Sequence, residues 1–164
     1  MRLGEPNESS PKCDLTLVNR QRDKRLNVRL LREVTEAALC ELPDVTGWTL
    51  CIHFIGAKRM ARINESHLNH EGATDVITFD YNEPATRSKQ RVLNGEIFIC
   101  VEVAVKQARE FKVTWQSEVV RYIVHGLLHL CGYDDLNASD RREMKRHENG
   151  LLKKLAGKYK FADL

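Results

Sequence analysis

Cysteine pairs at disulfide or metal-binding spacing are absent from the sequence. The five cysteines are odd in number, lie far apart and include no C-x-x-C pair. Disulfide frameworks use even sets of cysteines and cysteine zinc clusters use closely spaced pairs, so the pattern argues against both classes of protein. We predict that the cysteines are mostly small core residues. They are Cys13, Cys40, Cys51, Cys100 and Cys131.

Long apolar runs are absent too. The opening stretch from Met1 to Asp14 has no apolar segment that could form the core of a signal peptide. Histidine or a charged residue interrupts every later apolar segment well short of the roughly 20 residues that a membrane-spanning helix needs. These absences predict a cytoplasmic protein with no membrane partner.

The composition predicts one ordinary globular domain. The chain has 164 residues, of which 42% are apolar, and that is enough for one core. The net charge of +3 is a mild excess that neither demands nor excludes a nucleic-acid partner. Residues 1–13 are rich in Pro, Ser and Asn, and we predict a disordered tail there. A single domain over residues 14–158 is expected to follow.

Hydrophobic periodicity predicts four strands and five helices. Apolar residues alternate with polar ones over 48–54, as in a half-buried strand, whereas over 27–42 they recur at helical spacing. The predicted strands cover 15–19, 48–54, 74–81 and 92–100. The predicted helices cover 27–42, 57–68, 101–112, 115–131 and 139–155. Strands early in the chain and helices late predict an α+β fold with helices packed on one mixed four-stranded sheet.

The predicted fourth helix carries a pattern typical of a metal site. His125 and His129 are four residues apart, so their Cβ atoms lie about 5–6 Å apart on one helix face and both imidazoles can reach one ion. Gly132 suits a left-handed residue that ends the helix and lets Asp135 turn back. The spacing H-x-x-x-H-x-x-G-x-x-D therefore predicts one Zn²⁺ per chain at the end of a core helix, with another divalent transition metal as the alternative.

The residues around these three ligands narrow the chemistry. Three protein ligands leave a coordination position for water or substrate, as catalytic zinc sites do. In metallopeptidases of the H-E-x-x-H type a glutamate follows the first histidine and acts as general base, but Gly126 stands there. Cys131 is offset from His129 by two residues and so lies on another helix face. We predict a core role for Cys131, and for Asp134 a role either in the turn or as a hydrogen-bonding partner of a ligand.

Residues 125–135, HGLLHLCGYDD, with TDVITFDY and NGEIFICVEVA before them, resemble the YbeY family of bacterial metal-dependent endoribonucleases. The resemblance runs from about Leu15 to Leu155. It implies an α+β fold with zinc at the bottom of a basic cleft that receives single-stranded RNA. It also implies a role with the small ribosomal subunit, in 16S ribosomal RNA 3′ end maturation and ribosome quality control. The positions that match the family pattern H-G-x-L-H-L-x-G-Y-D-H are His125, Gly126, Leu128, His129, Leu130, Gly132, Tyr133 and Asp134.

Two departures from the family pattern concern the cleft. Asp135 replaces the third histidine, so the ligand set gains a negative charge and any bound water becomes less acidic. The family commonly has an arginine four residues after an asparagine in the second helix, but Leu68 follows Asn64 here, so a phosphate-binding side chain is missing. The candidate substrate-binding residues that would replace it are Arg59, Arg62, Arg87 and Arg91.

Other candidate residues carry weaker signals. His70 and Asp75, just before the predicted third strand, are the candidate catalytic residues, and His67 is a further residue that could border the site. His53 and His147 are predicted to be structural and solvent-facing, respectively. The leading hypothesis is a zinc-dependent endoribonuclease. Two alternatives remain. One is a ribosome-assembly factor whose metal is structural, and the other is a metallopeptidase.

Overall fold

The structure is a computed structural model that describes residues 12–83 and 90–164. Its regular elements confirm the predicted α+β class. They are β1 (Cys13–Asn19), α1 (Val28–Glu41), β2 (Val45–Ile55), α2 (Ala57–Leu68), β3 (Val76–Asp80), β4 (Arg91–Cys100), α3 (Val101–Phe111), α4 (Trp115–Leu130), α5 (Ala138–Lys158) and a short 3₁₀ turn (Phe161–Asp163).

The four strands form one mixed sheet, as predicted. The strand order is β1-β2-β4-β3, in which β1, β2 and β4 run parallel and β3 runs antiparallel to β4. Helix α1 connects the parallel strands β1 and β2, as parallel neighbours require a crossover. Strand β3 is an edge strand, and α4 packs beside it. The end of α4 is thereby placed next to an open edge of the sheet.

Polar caps fix where the core helices begin. The side chain of Asn27 accepts a hydrogen bond from the Leu30 N–H and that of Thr114 from the Ser117 N–H, at the starts of α1 and α4. Asn137 caps α5 in the same way. Such caps satisfy backbone donors that have no partner inside the helix. They fix α4 and α5, the two helices that flank the predicted ligands.

Helix α4 lies close against the centre of the sheet. Most of its residues are buried, and its core partners include α1, α5 and the inward side of β4. A Cβ atom added to Gly126 would lie 2.8 Å from Ile97 Cγ2, so the helix can approach the sheet this closely only without a side chain at that position. Position 126 therefore faces the core, and His125, about 100° away around the helix, is only partly buried.

Several boundaries differ from the predictions. Strand β3 begins at Val76 rather than Thr74, because the Asp75 carboxylate accepts hydrogen bonds from the Val76 N–H and the Thr74 hydroxyl and shapes a turn. Strand β1 begins at Cys13, the last residue of the predicted tail, and residues 1–11 of that tail lie outside the described residues. The packed chain also continues past residue 158, because Leu164 is buried in the core.

The cysteine prediction is only partly correct. Cys100 and Cys131 are buried, but Cys51 is half-buried and Cys13 and Cys40 are exposed. Cys13 is the first residue of the edge strand β1 and Cys40 lies near the end of α1, where packing does not cover them. In the described residues, no helix combines the length and the apolar character needed to cross a membrane.

Candidate metal centre

The end of α4 has the geometry that its sequence predicts. Gly132 adopts a positive φ of 87°, and its N–H donates to the His129 carbonyl at 2.9 Å. The Tyr133 N–H donates to the Leu128 carbonyl at 3.1 Å. These two bonds form a Schellman motif, which needs a left-handed residue that glycine adopts without strain. The chain reverses here and returns toward the histidines.

This reversal brings His125, His129 and Asp135 together. One ligand atom from each lies within 4.8 Å of the other two, and all three residues are partly buried. The His125 Nε2 atom is 3.1 Å from the His129 Nε2 atom and 3.7 Å from the Asp135 Oδ2 atom. Each donor type is one that zinc accepts. The three predicted ligands therefore form a possible metal site.

The hydrogen bonds of the two Nδ1 atoms indicate whether the Nε2 atoms can bind a cation. His125 Nδ1 lies 3.1 Å from the Glu148 Oε2 atom, and His129 Nδ1 lies 3.1 Å from the Tyr133 carbonyl oxygen. Both partners are acceptors, so both rings carry their proton on Nδ1. The two Nε2 lone pairs then face each other, which is repulsive unless a cation lies between them. The donor set fits a metal ion.

Burial and neighbouring charges shift the pKa values of His129 and Glu148. Burial lowers the pKa of the His129 imidazole, and the nearby His125 lowers it further, so the ring stays neutral. Burial by itself raises the pKa of the Glu148 carboxyl, but hydrogen bonds from His125, Lys145 and Arg121 outweigh this effect and hold the pKa at about 2. Glu148 is only 3% exposed and is an ionised acceptor for His125.

The two neighbouring aspartates play different parts. Asp134 Oδ1 accepts the N–H groups of Asp135 and Leu136 at 2.7 and 3.2 Å, which shapes the turn. The carbonyl oxygen of Asp135 accepts two hydrogen bonds from the Arg141 guanidinium, at 3.2 and 3.1 Å. The Asp135 carboxylate is left to face the histidines. The Asp135 carboxylate therefore lies at the candidate metal site, and the Asp134 carboxylate lies in the turn.

A cleft of about 410 Å³ opens over the three ligands. Its opposite wall consists of Leu68 at the end of α2 and of residues in and before β3, including Asp75 and Thr78. Leu68 is 46% exposed. An apolar side chain therefore stands on this wall at the position where the family described above commonly has arginine. Asp75 is thus the candidate catalytic residue that the structure brings to the cleft.

Of the remaining candidates, those that lie in the described residues do not line this cleft. Arg59 and Arg62 line a separate surface groove on the outer face of α2, and Arg91 lines another pocket next to Gly132 and Asp134. His70 is exposed and is not part of the lining of the cleft. Arg87 lies outside the described residues. His67 is likewise exposed, at the end of α2.

The other histidines and Cys131 are not ligands in this arrangement. His53 lies on the sheet with its Nε2 atom 2.8 Å from Glu96 Oε2, and its ring stacks on Phe98 at 4.3 Å. His147 contacts the Tyr133 ring, so it is less solvent-facing than predicted. Burial raises the pKa of the Cys131 thiol to about 11, which keeps it protonated, in agreement with the predicted core role.

Sequence reasoning missed Glu148, the carboxylate that positions His125. A glutamate inside a helix of mixed charge has no distinctive local pattern. The signal that could have found it is its spacing from Met144 and Leu151, which are buried on the same face of α5. A glutamate between such residues faces the core and needs partners there.

Comparison with known proteins decides the family. The model of the family described as Endoribonuclease YbeY matches residues 16–156. The chain belongs to the YbeY family. An Endoribonuclease YbeY of Chlorobium phaeobacteroides is 38% identical over 127 residues, which cover 77% of this chain and 84% of the relative. Another, from Chlorobaculum parvum, is 39% identical over 134 residues, covering 82% and 90%, respectively.

A solved structure also has the same fold as this YbeY family member. The solution structure of TM1509 from Thermotoga maritima aligns with a TM-score of 0.61 at 20% sequence identity. The alignment covers 88% of this chain and 90% of that protein. At this level of identity the likeness concerns the fold alone, and it supports the sheet and helix arrangement described above.

Proposed function

We propose that this YbeY family member is a zinc-dependent endoribonuclease that cuts single-stranded RNA. The observation that carries the proposal is the convergence of His125, His129 and Asp135 in an open cleft, on a chain whose relatives are named endoribonucleases. Within that activity we propose 16S ribosomal RNA 3′ end maturation and ribosome quality control as the role. The small ribosomal subunit is then the partner and the cytoplasm the location.

The metal would be held by His125 Nε2, His129 Nε2 and a carboxylate oxygen of Asp135. A divalent ion there supplies Lewis acidity toward a phosphodiester and lowers the pKa of a bound water. Glu148 and the Tyr133 carbonyl hold the ring protons on Nδ1, so that both Nε2 atoms stay available. The protein thereby fixes the position of its donors before substrate arrives.

Asp75 is our proposed proton acceptor. It lines the metal cleft, and its Oδ1 atom is held by the Val76 N–H at 2.8 Å and the Thr74 hydroxyl at 3.0 Å. These bonds orient the carboxylate, because a side chain held at one oxygen presents the other in a fixed direction. A carboxylate in reach of an attacking hydroxyl can accept its proton. Asp75→Asn keeps the shape and removes this capacity.

One feature favours a second candidate function. Leu68 gives the cleft an apolar wall in place of a phosphate-binding arginine, which suits a ribosome-assembly factor that holds RNA without cutting it. A metallopeptidase has less support. The sequence lacks the glutamate that such an enzyme uses as general base. Position 126 also faces Ile97 in the core, so a glutamate placed there would not reach the metal cleft.

The test combines metal analysis with cleavage assays. Wild type and Asp75→Asn are purified, their zinc content is measured, and each is incubated with single-stranded RNA and with casein. We expect about one zinc per chain in both proteins, RNA cleavage by wild type only, and intact casein throughout. Intact RNA with every divalent metal tried would refute the nuclease and leave the assembly factor as the better explanation.

Asp135→His extends the same test to the departure from the family pattern. A neutral donor set leaves more positive charge on the ion, so RNA cleavage should persist or increase and its pH optimum should move downward. An upward shift of the optimum would contradict this account of the site.

A further inference from the structure

A second cleft, of about 340 Å³, adjoins the metal cleft. The two share Asp75 and His125 as lining residues, so these two side chains stand between them. Helices α3, α4 and α5 supply most of the other walls. A molecule bound at the metal cleft could therefore extend past His125 into the second cleft.

The rim of the second cleft is apolar and unusually exposed. Phe111, the last residue of α3, is 63% exposed, and Val113 beyond it is 46% exposed. Large apolar side chains left together in water at the mouth of a cleft often mark a binding site. An aromatic ring there offers a flat face on which a planar group can stack.

The interior of the second cleft is polar and held in place. Tyr122 is buried, and its hydroxyl donates to Gln107 Oε1 at 2.6 Å. This bond orients the amide, whose N–H groups are then available as donors. Glu118 is only 3% exposed, and its Oε1 atom lies 3.6 Å from the Arg121 guanidinium. The cleft thus joins an aromatic rim to fixed hydrogen-bonding groups, as sites for small planar polar molecules do.

The charges of the lining exclude a phosphate as the occupant. Three carboxylates line the cleft against two cations, Arg121 and Lys145. Both cations already pair with Glu148, with Lys145 Nζ at 3.0 Å from its Oε1 atom. An anion would meet uncompensated negative charge, whereas an uncharged ring would not. The part of a nucleotide that suits this cleft is therefore its base.

We propose that the second cleft binds the base of the nucleotide next to the phosphodiester at the metal centre, and that it prefers a base with an exocyclic amino group. The inference rests on the proposed function, because it takes single-stranded RNA as the substrate. Phe111 stacks on the base, and the carboxylate of Glu118 accepts a hydrogen bond from the amino group. Uracil, which is the common RNA base without an exocyclic amino group, places a carbonyl oxygen against the carboxylate instead, which is repulsive.

The test uses the full chain, labelled with ¹⁵N, and measures binding rather than cleavage. Cytidine 5′-monophosphate and uridine 5′-monophosphate are titrated separately, since their bases differ at position 4, which carries an amino group in cytosine and an oxo group in uracil, and at N3, which is protonated only in uracil. Ribose 5-phosphate serves as the probe without a base. We expect the cytidine nucleotide to shift the Gln107 side-chain amide signals and to bind roughly tenfold more tightly than the uridine nucleotide. Ribose 5-phosphate should leave those signals unchanged.

Two variants and a matched control assign the contacts. Phe111→Ala should weaken binding of the cytidine nucleotide by roughly 5- to 150-fold, as loss of one stacking partner does. Glu118→Gln, which keeps the volume and adds a donor, should remove the preference for cytidine. Tyr81→Ala truncates another exposed aromatic residue, 55% exposed, whose phenol contacts Glu96 on the opposite sheet face, and it should change nothing.

The outcomes separate this inference from the proposed function. If ribose 5-phosphate shifts the same signals, or the two nucleotides bind equally, the base-binding assignment is overturned. RNA cleavage by wild type without any nucleotide effect at Gln107 would also overturn it and leave the nuclease intact. Nucleotide binding that depends on Phe111, in a protein that cuts no RNA, would support the base site and refute the nuclease.

Discussion

The two walls of the metal cleft are built in different ways. On the α4 wall each donor has a supporting contact, from Glu148, from the Tyr133 carbonyl or from the turn held by Asp134. The opposite wall, formed by β3 and the end of α2, has Leu68 where a phosphate-binding residue is expected. The candidate metal donors and the wall proposed to meet the substrate thus come from separate segments of the chain. One wall can keep its chemistry while the other changes.

His129→Ala should break the α4 wall most completely. It removes one of three donors, and a metal site loses most of its affinity when its ligand set is incomplete. We expect wild type to carry close to one transition metal per chain and the variant to lose most of it, as measured by elemental analysis of purified protein. His70→Ala removes an exposed histidine away from the cleft and should keep the metal. Equal metal content in both variants would refute the site.

The contrast between the walls also explains what the sequence could predict. The α4 ligands follow from local rules, because helical spacing aligns His125 with His129 and Gly132 ends the helix. The contact of Glu148 with His125 depends on how α5 packs against α4, which no local pattern specifies. The α+β fold class could be predicted because it follows from the order of strands and helices along the chain. The exposure of Cys13 and Cys40 could not, because it depends on how the elements pack.

The position of the arginines on α2 could have been anticipated. Met60 and Asn64 are buried four residues apart, and Leu68 continues the same face toward the cleft. Arg62 is two residues from Asn64 and therefore points to another side of the helix. The helical period alone argues that Arg62 does not replace the missing arginine at position 68, and the groove that it lines with Arg59 agrees.

Asp135→Ala and Asp134→Ala sharpen the comparison within the α4 wall. Asp135 faces the histidines and Asp134 caps the turn, so the first variant should lose most of its metal and the second should largely keep it. Asp134→Ala should instead lower the melting temperature by a few degrees, because it removes two hydrogen bonds to backbone N–H groups. Retention of metal by Asp135→Ala and its loss from Asp134→Ala would show that the two roles are reversed.

Glu148→Ala tests the supporting layer of the same wall. Removing a carboxylate behind a ligating histidine costs roughly 10- to 100-fold in metal affinity, which competition with a zinc chelator can measure. Glu148→Gln keeps an acceptor for the His125 Nδ1 proton and should recover part of the loss. ¹⁵N NMR of the His125 ring reports its tautomer directly: wild type should hold the Nδ1 proton, and Glu148→Ala should show a mixture. An unchanged tautomer with unchanged affinity would assign Glu148 a packing role only.

Leu68→Arg tests the weaker wall, where the smallest effect is expected. Leu68 is 46% exposed, so an arginine there remains largely solvated and should gain up to roughly fivefold in affinity for single-stranded RNA at low salt. Each added phosphate contact steepens the salt dependence, so the slope of log affinity against log salt should become more negative by about 0.7. Val92→Arg is the matched control, because Val92 is 47% exposed and does not line the cleft. Val92→Arg adds the same charge away from the cleft, so its gain in affinity for single-stranded RNA should be smaller. Equal gains from the two variants would mean that net charge alone attracts the RNA, and that the wall opposite α4 is not where its phosphates bind.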